Sequence, residues 1–197
     1  MSKLEHIEVE YKYNAEEISR ENFNVLSRSL SPVKELLLDH DTDSKPSTDH
    51  YFSNGKRFMR FRYGQGKWEL TSKVKKKEGN NWVRVEVNIK CGSGMNFEKA
   101  KAFSEIHELS EDFSIIKDVQ VFWFDKIVLS HYTCYNEQMK KLNVFLEIEA
   151  DEAYSWESEE QALNELAEWE KKLSSLGITP QKRVRKSLFE FYTRIGT

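Results

Sequence analysis

Cysteine is nearly absent from this chain: Cys91 and Cys134 are the two among 197 residues. Each stands alone in a strand-like context, so they build neither a disulfide framework nor a zinc site. Long apolar runs are missing as well. No stretch reaches the roughly 18 residues of a membrane-spanning helix, and no apolar signal-type segment opens the chain. A soluble, cytoplasmic protein without a membrane partner is the expectation. Neither sign of charge dominates, since 30 Lys and Arg face 33 Asp and Glu for a net charge of −3. That balance gives no global pull toward nucleic acid. The five histidines, His6, His40, His50, His107 and His131, form no pair at ligand spacing. Ser187 has no His or Asp signature beside it, which argues against a nucleophilic serine. No repeat at a solenoid period and no low-complexity tract is present.

What the chain does have is aromatic residues (13%) and charge (32%), enough for a core and a heavily charged surface around it. Residues 1–197 read as one domain. Alternation predicts strands over 4–13, 50–53, 57–63, 67–75 and 82–90, with turns at Asn54-Gly55, 64–66 and near 79–81. Further strands are expected over 115–124, 127–136 and 144–150. Residues 33–38 suit a short strand or helix. Helices are predicted over 15–30 behind Asn14, over 97–111 behind Asn96, from Ser158 to Gly177, and over 183–193. About eight strands and three or four helices point to an α+β fold with an antiparallel meander.

The polar faces of these strands are unusual. Phe-Leu-Glu-Ile-Glu at 145–149 sends Glu147 and Glu149 to one side, about 7 Å apart. Ile-Glu-Val-Glu-Tyr-Lys at 7–12 does the same with Glu8, Glu10 and Lys12. Arg60 and Arg62 share a face, as do Thr71, Lys73 and Lys75, and then Arg84, Glu86 and Asn88. One such strand is ordinarily a solvated face with ion pairs that contribute under about 1 kcal/mol each. Five in one chain, rich in arginine, suggest instead a curved sheet with the charged face turned inward. Bases would then neutralise a polyphosphate, with arginine supplying forked donors. Carboxylates would hold Mg²⁺ or Mn²⁺ against it.

In order and spacing these stretches resemble the CYTH domain, or triphosphate tunnel metalloenzyme superfamily. That family includes class IV adenylyl cyclases, thiamine triphosphatases and inorganic triphosphatases. Residues 7–12 resemble its acidic-acidic-lysine opening, and Asp49-His-Tyr-Phe-Ser its aspartate-x-tyrosine element. The paired arginines, the leucine-threonine-x-lysine strand around Leu70, Thr71 and Lys73, and the 137–149 segment follow in family order. Residues 185–191 resemble the closing serine-tyrosine segment. Asn143 stands where the family has a glycine. One strand departs: at 115–124 the family's lysine-x-arginine pair is missing, with Val121 and Trp123 or Gln120 and Phe122 in its place. Lys117 and Lys126 are the bases nearest that position.

The resemblance implies a closed or nearly closed eight-stranded antiparallel β-barrel forming a tunnel, with flanking helices and C-terminal helices from about 158. It implies metal ligation of Mg²⁺ or Mn²⁺ by Glu8, Glu10, Glu147 and Glu149. Lys12, Arg60, Arg62, Lys73, Lys75, Arg84 and Arg185 would bind the triphosphate, and Glu86 and Lys12 would be catalytic. The implied reaction is hydrolysis of inorganic triphosphate, thiamine triphosphate or a nucleoside triphosphate. Conversion of ATP to cyclic AMP and pyrophosphate, or binding without turnover, are the alternatives. The expected partner is a small-molecule triphosphate; a homodimer is compatible with the sequence. The basic run at 182–186 reads as solvated surface, and Trp82, Trp123, Trp156 and Trp169 as packing residues rather than a base-stacking platform.

Overall fold

A computed structural model describes residues 5–64, 67–75, 83–92, 94–178 and 183–193; the side chains of Glu5, His6, Lys67, Val74 and Lys75 lie outside that description. The elements run β1 (Glu5–Asn14), α1 (Arg20–Ser29), β2 (Lys34–Leu38), β3 (Ser47–Ser53), β4 (Phe58–Gly64), β5 (Lys67–Lys75) and β6 (Val83–Cys91). Then follow α2 (Phe97–Ile106), β7 (Ser110–Trp123), β8 (Ile127–Tyr135), β9 (Lys141–Ala150), α3 (Glu159–Ser175) and α4 (Leu188–Tyr192). Eight strands close a barrel in the order β7-β3-β4-β5-β6-β1-β9-β8, and β8 pairs back onto β7. Every seam is antiparallel. The first and last long strands lie side by side, Glu10 opposite Glu149 and Lys12 opposite Glu147.

β7 is longer than its sequence pattern suggested. Its 14 residues serve two neighbours on one edge: β3 pairs with residues 110–117, and β2, the ninth strand, pairs with 119–123. The helix before it stops at Ile106 instead of 111, because Glu108 adopts a left-handed conformation (φ 59°) that turns the chain into the strand. At the N-terminal end, Asn14 closes β1 and Ser19 caps α1, accepting from the Asn22 amide at 3.1 Å. Asn143 is an ordinary strand residue; the left-handed turn before β9 falls on Met139 (φ 58°). The last helix has five residues, with a capping box between Ser187 and Glu190. The turn expected near 79–81, most of that at 64–66, and Trp82 lie outside the described residues.

Alternation then sorts the side chains. Val9, Tyr11, Tyr13, Leu129, Leu146 and Ile148 point outward and are buried under α1 and α3 together with Phe23, Leu166 and Leu173. Phe52, Met59, Phe61 and Leu70 lie under α2 with Ala100. Burial of this apolar belt outside the barrel leaves the opposite faces of the same strands to line the inside. At one end an apolar cluster of Tyr51, Ile115, Tyr132, Cys134 and Phe145 packs with Leu188 of α4. Gly64 also lines the interior; a Cβ there would lie 2.9 Å from the Ser47 Cα, so β3 and β4 approach closely at that point.

Candidate functional site in the barrel lumen

The lumen encloses a cavity of about 410 Å³ lined from all the barrel strands, from β2 and from the start of α4. Among the described residues, Lys12, Arg60, Arg62, Lys73, Arg84 and Lys117 are its basic side chains. Glu8, Glu10, Glu69, Glu86, Glu147 and Glu149 face them. The charged face of the strands is therefore the inner one.

Every one of these bases is engaged by an acid. Lys12 Nζ lies 3.2 Å from Glu10 and 3.0 Å from Glu147. Lys73 pairs with Glu8 and, at 2.5 Å, with Glu86. Arg84 is 2.5 Å from Glu10 and 3.8 Å from Glu8. Arg60 donates to Glu69 at 3.2 Å and to the Thr71 hydroxyl at 2.8 Å. Arg62 makes a forked pair with Asp49 at 2.6 and 2.9 Å, and Lys117 reaches the same carboxylate at 2.7 Å. Tyr132 donates to Glu147 at 2.6 Å.

The field inside is uneven. Burial disfavours ionising Glu10 and Glu86, yet the cations around them win: Lys12, Lys73 and Arg84 hold Glu10 well below the usual range, and Lys73 and Arg60 bring Glu86 to about 2. Glu8 goes the other way. Burial, only partly offset by Lys73 and reinforced by Glu10 and Glu86, pushes it up to about 8. Glu149 is raised well above the carboxylate range by burial and then by Glu8 and Glu10. Lys12 stays protonated because Glu10 and Glu147 outweigh its burial. Lys117, buried and close to Arg62, falls to about 8 despite Asp49.

Three buried atoms in this network make no hydrogen bond: Oε2 of Glu8, Oε2 of Glu86, which is in ion-pair contact with Lys73, and Nε of Arg60. The two carboxylate oxygens are acceptors that a cation could use, and the guanidinium nitrogen is a donor that an anion could use. The donor set of Glu8, Glu10, Glu147 and Glu149 is all carboxylate oxygen, which suits a hard divalent cation such as Mg²⁺ or Mn²⁺. No three lumenal acids among the described residues bring oxygens within 4.8 Å of one another, and Lys12, Lys73 and Arg84 pair with the acids around that point.

The sequence reading and the geometry meet at Glu8, Glu10, Lys12, Arg60, Arg62, Lys73, Arg84, Glu86, Glu147 and Glu149, all brought to one lumen. Arg185 is not among the lining residues and is exposed on the approach to α4. The Lys75 side chain lies outside the described residues. Sequence reasoning matched Asp49 to the aspartate-x-tyrosine element without placing it in the site, and gave no role to Glu69 or Tyr132. Period-two spacing could have found them, since Asp49 precedes Tyr51, Glu69 precedes Thr71 and Tyr132 follows Ser130, each by one pleat. Trp123, read as a packing residue, lines the cavity. Outside the barrel, Asp39, His40 and Asp41 also come together, but Arg20 and Asp118 already engage Asp39 and His40.

Solved structures with this architecture span nearly the whole chain. A conserved hypothetical protein from Pyrococcus furiosus matches 93% of this chain and 98% of its own, at 22% identity and a TM-score of 0.65. A candidate adenylate cyclase from Bacillus halodurans matches 96% and 98%, at 15% identity and a TM-score of 0.60. A chain of the Schizosaccharomyces pombe Mediator head module matches 90% and 98%, at 11% identity and a TM-score of 0.59. These likenesses establish the fold. No family model matches the sequence, and no curated protein does. With a chain of the Mediator head module and a candidate cyclase sharing one fold, function has to be argued from the lumen itself. Among the described residues no helix is long and apolar enough to cross a membrane.

Proposed function

We propose that the tunnel binds a triphosphate-bearing substrate with a divalent cation and hydrolyses it. The observation that carries this reading is that Arg60, Arg62, Lys73 and Arg84 share one enclosed cavity with the carboxylates of Glu8, Glu10, Glu86, Glu147 and Glu149, with Arg60 Nε left without a hydrogen bond. A site for a simple anion would not need the acids, and a site for a bare cation would not need the arginines. The resemblance to the triphosphate tunnel metalloenzymes and the candidate cyclase among the structural neighbours support it.

On this reading Arg60, Arg62, Lys73 and Arg84 exchange their carboxylate partners for phosphate oxygens. Mg²⁺ or Mn²⁺, held by Glu8, Glu10, Glu147 and Glu149, would neutralise charge on the transferring phosphoryl group. Glu86 is ionised at neutral pH; once Lys73 and Arg60 turn to the phosphates its basicity rises, and it takes a proton from the attacking water. Water oxygen bonds to the terminal phosphorus, and the bond from that phosphorus to the bridging oxygen breaks. Protonated Lys12 cannot act as a base; it keeps Glu10 and Glu147 in register. Cyclisation of ATP is the second reading, favoured by the candidate cyclase neighbour, and there a ribose hydroxyl replaces water.

Incubation with tripolyphosphate, ATP and thiamine triphosphate, each with Mg²⁺ or Mn²⁺, separates the outcomes. Phosphate release without cyclic AMP supports hydrolysis, and cyclic AMP with pyrophosphate supports cyclisation. A rise in melting temperature with no product leaves a binding module. No product and no thermal response would end the triphosphate reading.

A further inference from the structure

Charge is unevenly spread around the lumen. On β4, β5, β6, β1 and β9 the described lining is mostly acids and bases, but across β2 and the part of β7 beyond Lys117 it is apolar, and it continues onto β8 at Val128 beside Ser130 and Tyr132. The change is abrupt. Glu147 lies opposite Ser130, which lies opposite Val121, which lies opposite Leu36. One pleat along, Glu149 faces Val128, which faces Trp123. Val119 and Leu38 complete the strip. These side chains line the cavity, and Lys34 lies 4.7 Å above the Trp123 ring.

An apolar strip beside a polyanion site discriminates between ligands. Phosphate oxygens pressed against valine and leucine lose hydration without gaining a partner. An organic body there removes apolar surface from water, at roughly 25 cal/mol per Å². A cavity of 410 Å³ is also within the roughly 300–1,000 Å³ of sites that enclose an organic ligand. Resting on the phosphate reading above, we infer that the tunnel takes an organic phosphoanhydride in preference to inorganic polyphosphate. Its phosphate chain lies on Arg60, Arg62, Lys73 and Arg84, and its carbon body against Leu36, Leu38, Val119, Val121, Trp123 and Val128.

Calorimetric titration of the full chain in Mg²⁺ with tripolyphosphate, ATP and thiamine triphosphate tests this. At least one organic triphosphate is expected to bind about tenfold tighter than tripolyphosphate, equivalent to ~1.4 kcal/mol. Val121→Thr keeps the shape and adds a hydroxyl; it should reduce that ratio several-fold with tripolyphosphate unchanged. Val121→Arg, provided its melting curve stays cooperative, should invert the preference. Equal or tighter binding of tripolyphosphate, or a ratio that Val121→Thr leaves unmoved, overturns the inference while the phosphate reading stands. Binding of none of the three overturns both.

Discussion

Asp49 neutralises two bases that reach it from different strands, Arg62 on β4 and Lys117 on β7. It is fully buried, and those cations hold its carboxyl well below the ordinary value against the cost of burial. Asp49→Asn leaves both bases short of a counter-charge, so the unfolding free energy should fall by about 3 kcal/mol, read from the urea midpoint. The lumen also gains one positive charge. Tripolyphosphate should therefore raise the melting temperature of the variant by more than it raises that of the parent; a smaller rise would mean that Asp49 aims Arg62 instead of restraining it. His131 offers a residue-scale pH effect away from the lumen. It is buried against the Phe23 ring, its Nε2 donating to the Ile18 carbonyl at 3.0 Å, and burial brings it down to about 4. Between pH 6.5 and 4 the unfolded chain then binds a proton that the folded one refuses, so stability is complete above 6.5 and is lost on acidification. The loss approaches ~3 kcal/mol near pH 4. Denaturant midpoints of the parent and His131→Gln should converge as the pH is lowered; parallel curves would count against this assignment.

At the scale of elements, the strands were legible because alternation is a local property, and the cap at Asn96 was legible because an asparagine side chain there can accept from the amide three residues on; Ser158, where the helical pattern begins, caps α3 in the same way. Three features were not. Asn14 looks like a cap in sequence, but pairing with Phe145 across β9 draws it into the strand. β7 runs past its apparent start because β3 offers it hydrogen-bond partners from residue 110 onward, a tertiary fact that residues 110–114 do not advertise. The closing helix is short because its anchor is aromatic packing rather than helical length. Phe189 stacks on Phe58 at 4.4 Å and lies 6.1 Å from Phe113, so α4 is fixed to the apolar end of the lumen. Phe189→Ala should cost about 2 kcal/mol, below the usual range for a fully buried ring because this one is half-buried. Hydrogen exchange would report it as faster exchange in α4 with the β1–β9 seam unaffected; uniform acceleration would show that α4 is part of the global folding unit.

For the whole molecule, the periodicity gives two faces to each strand but does not say which is inside. Closure decides it, because only the apolar faces can take α1, α2 and α3, and the acids and bases are left to share the interior. The opposition of β1 and β9 cannot be read locally either, since more than 130 residues separate Glu10 from Glu149. Once they are adjacent, like charges crowd. Glu149 forms no ion pair among the described residues, and burial with Glu8 and Glu10 pushes its pKa well up. Such a group opposes folding at neutral pH, which is the signature of a position kept for binding rather than stability. Glu149→Gln should therefore unfold at the same temperature as the parent or higher when divalent cations are removed with EDTA. In Mn²⁺ the order should reverse, because the parent gains stability from the ion and the variant loses most of that gain. Calorimetric scans with and without Mn²⁺ measure both halves. A lower metal-free melting temperature would make Glu149 a structural acid, and an undiminished response to Mn²⁺ would move the cation away from β9.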